Sequence, residues 1–104
     1  MDTLSRLEQT IAQRLTASPN ESYVAKLNQK GVEKIAQKVG EEAVETVIAA
    51  IADNREGLIG ESADLLMHLL VLLQVKGVSL TDVMAELDRR EGTSGLEEKA
   101  SRSE

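Results

Sequence analysis

Four acidic side chains form two pairs whose spacing suits a metal ion. Glu42 and Glu45 are three residues apart in one segment, and Glu61 and Asp64 have the same spacing in the next. Side chains three apart on a helix lie about 5–6 Å from one another, so each pair can chelate one small cation. Hard oxygen ligands favour Mg²⁺ or Mn²⁺. The sequence therefore predicts a cage of four carboxylates, provided that the two segments are helices that face each other.

These two segments are predicted to be long helices joined by a tight turn. Apolar residues recur at helical spacing over 32–52 and again from about 55 to 76, with residues 53–55 between them. Glu45 and Glu61 are almost equally far from this turn, roughly 10 Å at about 1.5 Å per residue. An antiparallel hairpin therefore places the two acidic pairs at the same height.

The rest of the chain is also predicted to be helical, which makes the protein all-α. Apolar stripes predict a first helix near 4–15, a short helix near 22–29 and a last helix that opens at an N-cap, Ser79. A length of 104 residues, with 41% hydrophobic and 29% charged content, suits one globular domain. We expect this domain in residues 1–90 and a polar C-terminal tail in 91–104.

An ordinary solvated face is the alternative interpretation of an acidic helix. The second long helix argues against it, because its leucine-rich sequence indicates burial on nearly every side, and buried carboxylates need partners. We therefore expect Glu61 and Asp64 to be buried and functional. His68, one turn after Asp64, could orient a carboxylate or contact substrate, or it could be a core histidine with satisfied hydrogen bonds.

Composition excludes several kinds of site and partner. The chain has no cysteine and one histidine, which excludes thiolate and multi-histidine metal sites. A net charge of −6 and a single aromatic residue, Tyr23, argue against a nucleic-acid partner. The strongly apolar stretch 65–75 is too short to span a bilayer, and the N-terminus has no apolar signal-type segment. We expect a cytoplasmic protein with no membrane partner.

Two lysines lie upstream of the acids on the same side of the first long helix. Lys34 and Lys38 are one and two turns before the acidic pair. Ammonium groups beside a metal site suit a polyphosphate substrate, whose oxygens the metal bridges. The alternative is helix-stabilising pairing at i,i+4, for example between Lys38 and Glu42, and both interpretations stay open.

Motifs along nearly the whole chain resemble a known enzyme family. The signature Glu41-Glu42-x-x-Glu45 with Glu61-x-x-Asp64 resembles the MazG-like superfamily of all-α nucleoside triphosphate pyrophosphohydrolases. Segments 22–27, 38–42, 61–68 and 95–100 are most similar to the phosphoribosyl-ATP pyrophosphohydrolase family. The resemblance implies Mg²⁺-dependent hydrolysis of phosphoribosyl-ATP to phosphoribosyl-AMP and pyrophosphate, the second step of histidine biosynthesis.

The resemblance also implies roles for single residues. Metal-ligand positions of the family are matched by Glu42, Glu45, Glu61 and Asp64. Glu41 matches an acid that orients or deprotonates the attacking water. Preference for phosphoribosyl-ATP over ATP needs groups that reach the second ribose phosphate, and we expect substrate contacts from Lys26, Lys34, Lys38, His68 and Lys99.

A homodimer or larger homo-oligomer is expected on two grounds. The family is typically an oligomer assembled around a four-helix core, and a chain this small cannot cover its own leucine-rich helix. Two other functions stay open at the level of sequence. A housecleaning hydrolase of noncanonical nucleotides would use the same acids, and a non-catalytic, metal-stabilised helical interaction module would keep the hairpin without hydrolysis.

Overall fold

The computed structural model describes residues 2–92 and 95–102, which contain six helices and no strand. The helices are α1 (Thr3–Arg14), α2 (Tyr23–Lys30), α3 (Val32–Ile51), α4 (Arg55–Val75), α5 (Leu80–Arg90) and α6 (Gly95–Ser101). The prediction of an all-α protein is confirmed. Helix α6 lies within the expected polar tail 91–104, of which residues 93, 94, 103 and 104 are outside the described part of the chain.

The reversal between α3 and α4 follows from local hydrogen bonds. The Asp53 N–H donates to the Ala50 carbonyl at 3.2 Å and the Asn54 N–H to the Ala49 carbonyl at 3.0 Å, which is a Schellman motif. Asp53 occupies its left-handed position, with φ 57°. The Asn54 side chain then caps α4 by accepting the Gly57 N–H at 3.0 Å. Helices α3 and α4 consequently fold into an antiparallel hairpin, and they pack together more extensively than any other pair.

The hydrophobic core lies at the end of this hairpin that is remote from the turn. There α1 packs on α4 and α2 packs on α3. The buried cluster consists of Ile11, Val24, Leu27, Ile35, Leu70 and Val71. The half of the hairpin near the turn has no comparable cover within the chain.

Exposed apolar side chains lie on both helices of the hairpin, and we call this set of side chains the apolar hairpin face. It consists of Val44, Val47, Ile48 and Ile51 on α3 with Ile59, Leu66 and Leu69 on α4, all exposed. The prediction that α4 is buried on nearly every side is therefore wrong for a single chain. Leucine content indicates that a surface will be covered, but it does not specify that the same chain provides the cover.

Helix α4, with 21 residues, is long and apolar enough to cross a membrane by length and composition. Core helices of soluble proteins share this length and composition. Glu61, Asp64 and His68 lie within α4 and would be costly in a hydrocarbon layer.

Helix α5 begins where the sequence predicts. Gly77 ends the preceding segment with φ 73°, and Ser79 and Asp82 form a reciprocal capping box. The Leu80 N–H, which has no partner within its own helix, donates to Glu8 Oε2 at 2.7 Å. This bond joins the start of α5 to α1.

Candidate metal centre

Three carboxylates meet between α3 and α4. Glu42 and Glu45 of α3 and Glu61 of α4 each offer an oxygen, and these oxygens lie within 4.8 Å of one another. The prediction that the acids of the two helices lie at one height is confirmed for these three residues. Carboxylate oxygens at this range can ligate a single hard divalent cation.

Glu61 has an unpartnered carboxylate oxygen, as expected of a metal ligand in the absence of its cation. Its Oε2 atom is buried without a hydrogen-bond partner, and no other side-chain nitrogen or oxygen in the described ranges is in that state. Nearly all buried polar atoms in native proteins are satisfied, so an orphaned oxygen indicates an additional partner. Because the neighbouring groups are carboxylates, which donate no hydrogen bond when ionised, the donor set fits a bound cation.

Below about pH 7, a proton occupies the cluster when no cation does. The protonated form of Glu61 can donate a hydrogen bond to Glu45, which raises the pKa of Glu61 from its ordinary value of 4.5 to about 7, and burial, hydrogen bonding with Glu42 and repulsion from both carboxylates act in the same direction. The shared proton relieves the crowding of negative charge. A cation must displace this proton to bind.

We expect the affinity for Mg²⁺ to rise with pH up to about pH 7 and then level off. Below the raised pKa of Glu61, each bound cation releases one proton, so the affinity should change by about tenfold per pH unit. Calorimetric titration with Mg²⁺ at pH 6 and pH 8, in buffers of different ionisation enthalpy, measures both the affinity and the proton released. Equal affinities at the two values, with no proton release, would contradict this expectation.

Glu42 is the most buried member of the cluster, with 7% exposure. Lys38 Nζ lies 3.8 Å from Glu42 Oε1, and His68 Nδ1 lies 3.9 Å from the same oxygen. The i,i+4 pairing of Lys38 that the sequence offers as an alternative is therefore present. It also brings one positive charge to the edge of the acidic cluster.

Asp64 is not part of the three-carboxylate group, and its side chain is exposed. The expectation that it is buried is wrong, because three residues along a helix add a rotation of about 60° away from Glu61, toward the side of α4 that this chain does not cover. Glu41 is exposed as well, and its Oε1 accepts a hydrogen bond from Gln37 Nε2 at 3.4 Å. Their roles as metal ligand and water-orienting acid stay predictions.

His68 is buried, with 4% exposure, and both of its ring nitrogens have partners within the protein. Nδ1 lies 2.8 Å from the Asp64 carbonyl and Nε2 lies 2.7 Å from the Tyr23 hydroxyl. The ring therefore has no free hydrogen-bonding atom for a substrate. Of the alternatives raised by the sequence, this geometry fits a satisfied histidine that adjoins a carboxylate, and it disfavours a direct substrate contact.

The other predicted substrate-binding lysines are spread over three helices. Lys34 is half-buried on α3, Lys26 is exposed on α2 and Lys99 is exposed on α6. Within residues 2–92 and 95–102 none of these three forms an ion pair, so their ammonium groups remain available to an anionic ligand. The structure brings only Lys38 among the predicted lysines into contact with the cluster.

Tyr23 is the site neighbour that sequence reasoning missed. Its ring lies edge-on to the His68 ring, with centroids 5.7 Å apart and an interplanar angle of 89°. No local pattern pairs two residues that are 45 positions apart. The one signal in the sequence that could have drawn attention to the pair is that the chain has a single tyrosine and a single histidine.

A hollow of about 250 Å³ opens beside the cluster. Its lining combines the acidic Glu45 and Glu61 with the apolar Ile48, Ala49 and Ala52. A ligand with charged oxygens and a flat organic group could place the former against the acids through a cation and the latter against the apolar wall.

Comparison with known proteins gives one consistent result. A family model described as phosphoribosyl-ATP pyrophosphohydrolase matches residues 4–91. Proteins named phosphoribosyl-ATP pyrophosphatase are similar over essentially their full length: one from Erythrobacter litoralis is 65% identical, covering 100% of both chains, and one from Novosphingobium aromaticivorans is 64% identical, covering 98% of this chain and 95% of the relative. A third, from Rhizorhabdus wittichii, is 67% identical and covers 96% and 94%.

Proposed function

The chain belongs to the phosphoribosyl-ATP pyrophosphohydrolase family, and we propose that its three-carboxylate cluster is the metal centre of that hydrolase. The protein is an enzyme that hydrolyses phosphoribosyl-ATP to phosphoribosyl-AMP and pyrophosphate in histidine biosynthesis. The observation that carries the proposal is the convergence of Glu42, Glu45 and Glu61 around the orphaned Glu61 oxygen.

The cation that we propose is Mg²⁺, with Mn²⁺ as a substitute of similar ligand preference. Glu42, Glu45 and Glu61 would hold it from the protein side, and Asp64, one turn beyond Glu61 and exposed, is proposed as the fourth ligand. When bound, such a cation neutralises phosphate charge and acidifies water, which are the contributions that phosphoanhydride hydrolysis requires.

The chain's own side chains then supply proton transfer and charge. Glu41 directly precedes Glu42 on α3 and is exposed, and we assign its carboxylate to accept the proton of an attacking water. Lys38, beside Glu42, offsets negative charge on the departing pyrophosphate. The unpaired ammonium groups of Lys26, Lys34 and Lys99 are the proposed contacts for the remaining phosphates.

We expect phosphoribosyl-ATP to be hydrolysed in strong preference to ATP, dUTP and dCTP. Any triphosphate can reach the acidic cluster through a cation, so discrimination depends on lysines that bind the phosphate of the second ribose. Each charged hydrogen bond lost with that phosphate costs about 1.5–3 kcal/mol, or roughly ten- to a hundredfold in kcat/KM. Pyrophosphate release with Mg²⁺ across the four nucleotides measures the preference.

The same panel separates the competing functions. Equal turnover of ATP and phosphoribosyl-ATP would overturn the substrate assignment, and preferential turnover of dUTP or dCTP would indicate a housecleaning hydrolase. A chain that ends at Arg90 tests Lys99 and the C-terminal segment, because an unchanged preference would remove both from the substrate site.

A homodimer is the proposed assembly, with the apolar hairpin face as its interface. The single chain exposes 7328 Å², whereas a compact monomer of 11.3 kDa exposes about 5,700 Å². The excess per chain is about twice the roughly 800 Å² that each partner buries in a standard protein interface. Two hairpins that pack through this face would form a four-helix bundle.

We also propose a cytoplasmic location. A second copy of the chain gives the exposed apolar side of α4 a protein partner, so that the helix needs no lipid to cover it. The substrate is a soluble, highly charged nucleotide, which agrees with a centre that opens to water.

A further inference from the structure

Tyr23 and His68 link helix α2 to the three-carboxylate cluster, and neither has a role in the proposed reaction. We propose that this pair acts as positioning residues that hold Glu42 ready to receive the cation. The inference rests on the proposed function, since it presupposes that Glu42 is a metal ligand. Neither residue is proposed to contact the substrate or the metal.

The hydrogen bonds around His68 fix both its ring orientation and its tautomer. The Asp64 carbonyl can only accept, so the ring nitrogen that lies 2.8 Å from it, Nδ1, carries the proton. In the neutral ring the other nitrogen, Nε2, has a lone pair and accepts the Tyr23 hydroxyl proton at 2.7 Å. Loss of the Tyr23 hydroxyl would leave a buried Nε2 without a donor.

The oriented ring in turn limits the movement of Glu42. Its Nδ1–H edge lies 3.9 Å from Glu42 Oε1, and Lys38 Nζ lies 3.8 Å from the same oxygen. These separations are too long for ordinary hydrogen bonds. The ring therefore restricts the carboxylate sterically, and the partial positive charge of its N–H edge attracts it. A ligand that is held in one orientation before the metal arrives loses less conformational entropy on binding.

The hydroxyl of Tyr23 is held by the start of α2. Ser22 is buried, its Oγ accepts the Ala25 N–H at 3.1 Å, and its hydroxyl donates to the Arg14 carbonyl at 3.3 Å. These bonds fix the first turn of α2 against the end of α1. Tyr23 is 49% exposed, so removing its hydroxyl while keeping the ring does not disturb the core.

The test is the affinity for Mn²⁺ alone, without nucleotide, followed by electron paramagnetic resonance of the free ion. Tyr23→Phe keeps the ring and removes the hydroxyl, and we expect it to weaken Mn²⁺ binding by about tenfold, the range seen when groups behind metal ligands are changed. Thr81→Val removes an exposed hydroxyl from α5 and is the matched control, which should bind Mn²⁺ as the unmodified protein does.

Further readouts separate positioning from catalysis and from simple stabilisation. In Tyr23→Phe the Mn²⁺ concentration that gives half-maximal hydrolysis should rise. The kcat at saturating Mn²⁺ should stay within about twofold of that of the unmodified protein, since the bound cation restores the geometry. A drop in kcat at saturating metal would instead make Tyr23 catalytic and overturn the proposal. A lower melting temperature with unchanged Mn²⁺ affinity would overturn it as well.

The single histidine adds a spectroscopic check. The nitrogen-15 spectrum of the metal-free protein should show one ring with a protonated Nδ1 and an unprotonated Nε2, and the Nε2 signal should shift in Tyr23→Phe. If the unmodified protein binds no Mn²⁺, the proposed function fails and the inference fails with it. If it binds Mn²⁺ and Tyr23→Phe binds it equally well, the inference alone fails.

Discussion

Replacing Glu61 with Gln is expected to reduce metal-dependent hydrolysis on the order of 100-fold or more, because it removes one charged ligand while keeping the shape of the side chain. Pyrophosphate release from phosphoribosyl-ATP at several Mg²⁺ concentrations measures the loss. Glu86→Gln is the matched control: Glu86 lies on α5, where Arg89 and Arg90 hold the pKa of its half-buried carboxyl down at about 2, and hydrolysis should be unchanged. Full activity in Glu61→Gln would contradict the proposed centre.

The same substitution should stabilise the metal-free protein at high pH. Because the pKa of Glu61 is raised from 4.5 to about 7, the folded protein holds this proton more strongly than the unfolded chain does. The resulting stabilisation is complete below pH 4.5 and is lost as the pH rises through 7. Without metal, the melting temperature of the unmodified protein should therefore fall between pH 5 and pH 8 by more than that of Glu61→Gln. At pH 8, added Mg²⁺ should raise the melting temperature of the unmodified protein but not that of Glu61→Gln.

Val47→Glu is expected to convert the proposed dimer into a monomer. Val47 lies within the apolar hairpin face and is 56% exposed in the single chain, so the change does not disturb the chain's own core. In a dimer the new carboxylate would be buried without a partner, at a cost of about 3–5 kcal/mol. Light scattering at micromolar concentration measures the change in mass.

Gln13→Glu provides the control, because it adds the same charge at an exposed position of α1, away from the hairpin face. It should leave the mass unchanged. A monomer in the unmodified protein, or an unchanged mass in Val47→Glu, would show that the face has another role.

Much of this architecture could be predicted because it depends on local interactions. Helix ends at Gly77 and Ser79 follow from backbone conformation and capping, which act within a few residues. The meeting of Glu45 with Glu61 could be predicted too, because the helical rise and a short turn determine how far each lies along the hairpin.

The rest depends on packing between distant segments. The exposure of Asp64 follows from which side of α4 the chain covers, and apolar composition does not contain that information. The bond between Tyr23 and His68 depends on how α2 sits against the hairpin, 45 residues away in sequence. Types and spacings of residues therefore predicted the acids that meet, and Lys38 and His68 as candidates beside them, but not the bond that Tyr23 makes.

The placement of the core at one end of the hairpin makes the stability of the chain uneven. The end with Ile35 and Val71 is packed by α1 and α2. At the other end, the apolar residues on either side of the turn, Ile51 and Ile59, are exposed. Local opening of the turn end should therefore require less free energy than global unfolding. If a second copy covers that end, its protection depends on protomer concentration, and dilution would loosen the turn before it melts the core.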